Sequence, residues 1–317
     1  MKAVVLAKPT KAEEIQIKDV EIPKIKKDWV LIRVKAFGLN HSEKILREFE
    51  IENEYIKKPI IPGIECVGII EDSLDDDFRV GEKVISFMGG LGRSFNGSYA
   101  EYCLAPKSHT FKINIDLPFE ELGAMPETYY TAWGSLFDCL DLKKDDTLLI
   151  RGATCALGYV AIQIAKAYGC IVIATTYKEE KTKLLIDADK IVVDDGVLSG
   201  KVQGVNKVLD LIGAKSLVDT LKLVDKKGIV CNTGILGGVY ALNNFDPIKD
   251  IPNGVYLTGF YSNSPAKKDI SDIVEFINSN NLKPKIGKVF EFDDIKDALI
   301  CQDKKLVDGK IVVRMKG

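Results

Sequence analysis

The chain has 317 residues, 46% of them hydrophobic, with 44 Lys and Arg set against 46 Asp and Glu. That is apolar material enough for a large core in one big or two medium domains, and it excludes the disordered and fibrous classes. The charge balance, with lysines scattered rather than gathered into a stripe, provides no field for nucleic acid and suits a small neutral ligand.

The N-terminal MKAVVLAK has an apolar run of only five residues before Lys8, too short for a signal-peptide core, and no later run approaches a membrane-spanning length. A cytoplasmic protein without a membrane partner is expected. Through about residue 115 the strand signals come at short spacing: KAVVLA, EEIQIKDVE, WVLIRVKAFG, GIECVGIIED, EKVISF and SYAEYCLAP, punctuated by Gly, Pro and Asp. HSEKILRE interrupts them as a helix. The seven cysteines are scattered without a CxxC pair and read as small core hydrophobes.

From Pro126 the period changes. PETYYTAWGSLFDCL opens with Pro in a first helical turn and repeats apolar residues at helical spacing. Strands TLLI, CIVIAT, KIVVDD, KVLDLI, GIVCNTG and VYLTGFY follow, separated by the helical stretches YVAIQIAKAY, EEKTKLLIDA and AKSLVDTLKLV. Their apolar residues are consecutive rather than alternating, as when helices cover both faces of a parallel sheet, so a doubly wound α/β sheet is expected. After Ser264 come a helix PAKKDISDIVEFINSN, strand KVFEF, helix DDIKDALICQ and strand KIVVRM. The pattern leaves two arrangements open: the α/β unit is inserted into a β-rich domain, or it is followed by a remnant of one.

The stretch RGATCALGYVAIQIAK joins the first strand of the α/β unit to its helix, where a phosphate-binding loop belongs. Against GxGxxG it keeps Gly158 and places Ala153 and Cys155 at the first two glycine positions, with Thr154, Ala156 and Leu157 between. Small residues permit close approach of a pyrophosphate, so the segment is either a working variant of the loop or a plain βαβ turn. The end of the second strand tips the balance. Where an NAD site carries a carboxylate for the ribose hydroxyl, the chain has Thr175 and Thr176, with Lys178 and Lys181 beyond. Hydroxyls and an ammonium accept the 2′-phosphate that a carboxylate would repel, which favours NADPH over NADH.

Taken together, IRVKAFGLNHSE, IPGIECVGIIE, VGEKV, GSYAEY, the TLLIRGATCALG loop and the terminal GKIVVR, in this order, resemble the medium-chain dehydrogenase/reductases. The similarity runs almost end to end and is strongest to the zinc-independent quinone and enone reductases. It implies a GroES-like partial barrel built from both chain ends, residues 1–124 plus 264–317, with a Rossmann domain inserted at 125–263 and a nicotinamide site in the cleft between. It also implies that Asn40 polarises an acceptor carbonyl, that Tyr55 is a proton donor or gate, and that Thr128 lies against the nicotinamide. Gly213, the run Thr233, Gly234, Ile235 and Leu236, and Phe260 fall where relatives pass the cofactor along the strand ends. Asp194 stands where several relatives put an aromatic residue or histidine against the adenosine, and a carboxylate directed at the 2′-phosphate would weaken the NADPH preference.

Zinc-dependent relatives ligate metal through positions that correspond here to Asn40, Ile64 and Glu127, and no metal site is expected. Without a Lewis acid the oxidation of a simple alcohol is hard, whereas a conjugated acceptor takes hydride readily. The leading expectation is therefore an NADPH-dependent reductase of a small-molecule electron acceptor, a quinone or an α,β-unsaturated carbonyl, forming a homodimer through VYLTGFY. Reduction of ordinary aldehydes or ketones, and NADPH binding with little turnover, are the alternatives.

Overall fold

The computed structural model describes residues 1–74 and 76–316. The chain divides into two units, one formed by residues 1–130 and 263–317 and the other by residues 131–262. Both chain ends thus belong to the first unit, and the α/β segment is an insertion.

The first unit opens with β1 (Lys2–Val4) and β2 (Ile17–Asp19), a small antiparallel pair. The second strand is shorter than its sequence pattern predicts, because Ala12–Glu14 form a 3-10 turn that buries Ala12. Next come β3 (Trp29–Gly38), α1 (His41–Glu48), β4 (Glu65–Ser73), β5 (Lys83–Phe87), β6 (Tyr102–Pro106) and β7 (Thr110–Lys112). Two helices follow, α2 (Phe119–Gly123) and α3 (Pro126–Trp133).

The second unit starts with a π-helical turn, Gly134–Cys139, and then builds β8 (Thr147–Arg151), α4 (Ala156–Tyr168), β9 (Ile171–Thr176), β10 (Lys190–Val193), β11 (Val205–Asp210), α5 (Leu217–Thr220), β12 (Val224–Asn232), α6 (Pro247–Asp250) and β13 (Tyr256–Gly259). All its strands are parallel, in the order β10-β9-β8-β11-β12-β13. This is the doubly wound arrangement, whose order reverses between β8 and β11 and so opens a crevice beyond the strand ends. Two expected helices are short. EEKTKLLIDA yields 3-10 turns over Glu179–Leu184, and AKSLVDTLKLV yields one turn, because Leu221 and Leu223 turn inward and Val224 already starts β12.

The chain then re-enters the first unit through α7 (Lys267–Asn280), β14 (Ile286–Glu291), α8 (Ile295–Asp303) and β15 (Lys310–Arg314). Here β15 pairs in parallel with β14 and antiparallel with β3, giving the order β14-β15-β3-β4-β5-β7, with β6 also paired to β3. Its core gathers Val30, Ile32, Phe37, Leu46, Ile70, Tyr99 and Val313, and Phe37 stacks on Tyr99 at 4.7 Å. A separate core around Leu149, Val205, Val208, Leu221 and Val230 holds the second unit.

Candidate functional site

In the second unit, Cys155 caps the N-terminus of α4, its sulfur accepting the Gly158 N–H at 3.4 Å. Burial pushes the Cys155 thiol up to about 11, so the cap stays neutral and leaves the positive end of the helix macrodipole uncancelled. Ala153 is fully buried, and its N–H donates to the Thr175 carbonyl at 2.9 Å, fixing the loop to β9. A Cβ on Gly158 would lie 2.2 Å from the Ala153 carbonyl oxygen, so only glycine lets the helix approach the loop this closely. The crevice repeats the device at the next strands: Gly213 has φ +92°, and a Cβ there would meet the Gly234 carbonyl oxygen at 2.3 Å. Both observations fit a dinucleotide, whose pyrophosphate needs a tight loop, close backbone approach and a helix N-terminus.

Buried polar groups hold these loops. The Asp210 carboxylate, fully buried at the end of β11, accepts from the N–H groups of Ile212 (2.8 Å) and Gly213 (3.0 Å) and from the Ser216 and Thr220 hydroxyls. The Asp210 carbonyl receives the N–H groups of Thr233 and Gly234, each at 3.1 Å, while Leu236 N–H reaches the Leu211 carbonyl. The Thr233 hydroxyl pairs with that of Ser135 at 2.9 Å. Ile235 is half-buried and Leu236 exposed, and a Cβ on Gly134 would collide with the Phe260 ring, so Phe260 is packed against the π-helical turn.

The 2′-phosphate reading needs correcting at two residues. Thr175 and Thr176 are both 0% exposed. Thr175 Oγ1 accepts the Gly152 N–H at 2.9 Å, and Thr176 Oγ1 lies 3.5 Å from the Thr154 hydroxyl. Their hydroxyls brace the loop instead of facing a ligand; β9 is flanked by strands on both edges and covered by helix, which buries even its last residues. Lys181 sits partly exposed in the 3-10 turns beyond. Asp194 is directed elsewhere, since both its oxygens are taken by the buried Arg151 guanidinium, at 2.7 and 3.1 Å. Arg151 also binds Asp219 at 2.7 Å and Thr220 at 2.9 Å.

The first unit contains a polar cluster of a different kind. Lys310, 4% exposed at the start of β15, points its ammonium at Glu65 Oε1 (2.8 Å), Asn40 Oδ1 and Thr128 Oγ1 (2.9 Å). Asn40 Nδ2 donates to Glu65 Oε1 at 2.8 Å and to Glu43 Oε1 at 3.4 Å, and Glu65 Oε2 accepts the Glu127 N–H at 2.8 Å. Glu43, 2% exposed, takes the N–H groups of Asn40 (3.0 Å) and Ile64 (3.2 Å). Burial, then repulsion from Glu65, pushes the Glu43 carboxyl up to about 7. Burial opposes the Lys310 charge, but Glu65, Glu127 and Glu43 outweigh it and raise its pKa above the ordinary value.

The structure thus brings Asn40 and Thr128 together through Lys310, a residue that the sequence reading did not single out. The available signals were the Asn40-x-x-Glu43 capping pattern and a lysine opening a strand of consecutive apolar residues. Tyr55 stands apart, 62% exposed, its hydroxyl donating to Glu50 Oε1 at 2.6 Å while Glu50 is held by Arg93. His41 is exposed.

Residues 26–115 match the alcohol dehydrogenase GroES-like domain, and residues 186–313 match the zinc-binding dehydrogenase domain. The chain belongs to the medium-chain dehydrogenase/reductase superfamily. It is 27% identical to the quinone oxidoreductase of Rattus norvegicus over 88% of this chain and 87% of that one, and falls with the quinone oxidoreductase-like branch. An alcohol dehydrogenase of Geobacillus stearothermophilus is 29% identical over 99% of this chain and all of that protein. Among solved structures, a mycobacterial protein complexed with NADPH superposes with a TM-score of 0.85 at 24% identity, covering 99% of each chain. The superfamily is one of oxidoreductases, and in this chain Asn40 is engaged by the Lys310 ammonium. Among the described residues no group of three or more His, Cys, Asp and Glu side chains is placed to hold a metal ion, and no helix is long and apolar enough to cross a membrane.

Proposed function

We propose that this oxidoreductase is an NADPH-dependent, zinc-independent reductase that delivers hydride to a quinone or an α,β-unsaturated carbonyl. The observation that carries the reading is the engagement of the Lys310 ammonium by Asn40 and Glu65, Asn40 being one of the positions that the sequence resemblance sets against a zinc ligand. A fixed cation with three partners supplies local positive charge without a metal and leaves no open coordination position to bind an alkoxide.

The coenzyme would rest its pyrophosphate on the first-turn N–H groups of α4, Ala156 and Leu157, with Gly158 keeping the backbone close. Gly213 and the loop Thr233–Leu236 would border it along the strand ends, Lys181 would meet the 2′-phosphate, and Phe260 would lie toward the reactive ring. When bound, the nucleotide supplies the hydride. Orientation is then the protein's main contribution, because a conjugated acceptor spreads the incoming charge over its own π-system. Asn40 can offer an acceptor oxygen only the amide proton that now makes the longer bond, 3.4 Å to Glu43, since the other is held at 2.8 Å by Glu65. Tyr55 would have to leave Glu50 before donating a proton.

We further propose a homodimer built through β13, an edge strand of the parallel sheet whose pairing with a second copy would cover its free backbone groups. The decisive assay follows NADPH oxidation with quinones, enones and saturated ketones as acceptors. Consumption restricted to the first two classes supports the reading. Similarity to an alcohol dehydrogenase favours the saturated carbonyls as the second reading, and NADPH binding without turnover across the panel would replace both.

A further inference from the structure

The second unit contains a cysteine pair unlike the rest of the cysteine complement. Cys139 ends the π-helical turn Gly134–Cys139, is partly exposed, and brings its sulfur 3.5 Å from the Gly259 carbonyl oxygen on β13. Cys231 lies buried on β12, beside Thr258 of β13 in the strand register. The wide π turn carries Cys139 against the end of the sheet: Gly259, which its sulfur approaches, pairs with Asn232, the residue after Cys231, and Ser135 of the same turn bonds the Thr233 hydroxyl, so two cysteines 92 positions apart in sequence (139 to 231) lie at one place in the fold. Cys231 Sγ also touches the Thr233 hydroxyl at 3.2 Å. One cysteine is partly exposed, and the other is buried on the neighbouring strand.

We propose that Cys139 and Cys231 form a peroxide-oxidisable dithiol, with Cys139 as the attacking thiolate and Cys231 as the resolving thiol of an intramolecular disulfide. Cys139 attacks a hydroperoxide: the S–O bond forms, the O–O bond breaks, and the departing hydroxide takes up the proton Cys139 released, leaving a sulfenic acid and, for hydrogen peroxide, one water. Cys231 then attacks the Cys139 sulfur: the S–S bond forms, the S–O bond breaks, and the hydroxide leaves with the Cys231 proton as a second water. Two thiols lose two electrons and the peroxide gains them.

The protonation pattern agrees with these roles. The Cys231 thiol is the largest cause lowering Cys139 to about 7, with the Thr258 hydroxyl assisting and burial and Asp138 opposing. Cys139, together with burial, raises Cys231, which therefore keeps its proton until it attacks. The first unit supplies an internal contrast. Cys66 and Cys103 are 0% and 1% exposed, and the Cys103 thiol together with burial holds the Cys66 thiol well above its ordinary value. That pair lacks solvent access, and it is expected to stay reduced.

The chemistry needs no coenzyme, so its failure is separable from failure of the reductase reading. The full-length protein is exposed to hydrogen peroxide near neutral pH, alkylated, and mapped by non-reducing peptide mass spectrometry. The expected result is loss of two of the seven free thiols, a Cys139–Cys231 linked peptide lighter by two hydrogens, and full reversal by dithiothreitol. In Cys231→Ser the Cys139 sulfenic acid persists and is trapped by dimedone, and in Cys139→Ser the crosslink vanishes. Retention of all seven thiols under peroxide that oxidises free cysteine would overturn the proposal. So would a crosslink through another pair, or passage of Cys139 to the sulfinic acid in the wild-type protein without a disulfide.

Discussion

Replacing Lys310 by Met removes a buried cation while leaving most of its volume. Its Nζ lies 2.8 Å from Glu65 Oε1, and the side chains are 4% and 0% exposed. At an effective dielectric constant near 20 the gross attraction at that separation is about 6 kcal/mol, and desolvation offsets much of it. Breaking such a pair from one side leaves an uncompensated carboxylate beside a second one, Glu43, and costs about 3 to 5 kcal/mol. With a urea slope of about 2 kcal/mol/M, the midpoint for the first unit falls by roughly 2 M. Only two tryptophans are present, Trp29 and Trp133. In a Trp133→Phe background, fluorescence of Trp29, which packs edge-on to Phe95 at 4.8 Å, reports the first unit alone. The loss should also depend on pH. Glu43, with its folded pKa already about 7, binds its proton more tightly folded than unfolded, so stability falls as pH rises through the window from 4.5 to about 7. Without Lys310 that window extends upward and the deficit is larger at pH 8 than at pH 5.5. Adding Glu65→Gln should recover part of it. A midpoint shift of a few tenths of molar, equal at both pH values, would refute the idea that these charges are desolvated and mutually dependent, since exposed pairs contribute about 0 to 1 kcal/mol.

Other substitutions probe the remaining parts. Glu43→Gln should flatten the dependence of the urea midpoint on pH between 4.5 and 7, where the wild type loses up to about 1.4 kcal/mol per pH unit; an unchanged slope would assign that titration elsewhere. Gly158→Ala places a methyl 2.2 Å from the Ala153 carbonyl oxygen, and about 1 to 3 kcal/mol of stability together with NADPH affinity should be lost in unfolding and calorimetry. Lys181→Ala should weaken NADPH several-fold more than NADH in titration calorimetry, and equal losses would remove it from the 2′-phosphate. Light scattering should return twice the chain mass of 35.1 kDa, while a Pro substituted at Leu257 on the β13 edge should return one.

The alternation of consecutive-apolar strands with helices made the parallel sheet of the second unit legible, and Gly158 in its loop marked the helix start, because both follow from local periodicity. The side chains that brace the loops were not legible. Thr175 and Thr176 invited a reading as ligand hydroxyls, yet burial at the end of a central strand turns them inward, and burial is a property of the whole fold. Lys310, Arg151, Glu43 and Asp210 belong to types that are usually exposed, and each is buried only because partners distant in sequence meet it: Asn40 for Lys310, Asp194 and Asp219 for Arg151, Ser216 and Thr220 for Asp210. The helices after β9 and β11 were overestimated because their apolar spacing serves a turn into the next strand.

The position of β15 has a consequence for biosynthesis. It lies between β14 and β3, so a segment near residue 312 must join one near residue 38 before that sheet is continuous. The inserted unit, by contrast, is an unbroken stretch of chain and can mature while translation proceeds. Its neighbour in sequence must wait on the ribosome for the final strand, exposing the strand 3 edge and an unpaired Glu65 carboxylate in the meantime, and a stop codon placed before residue 310 would leave that half permanently open.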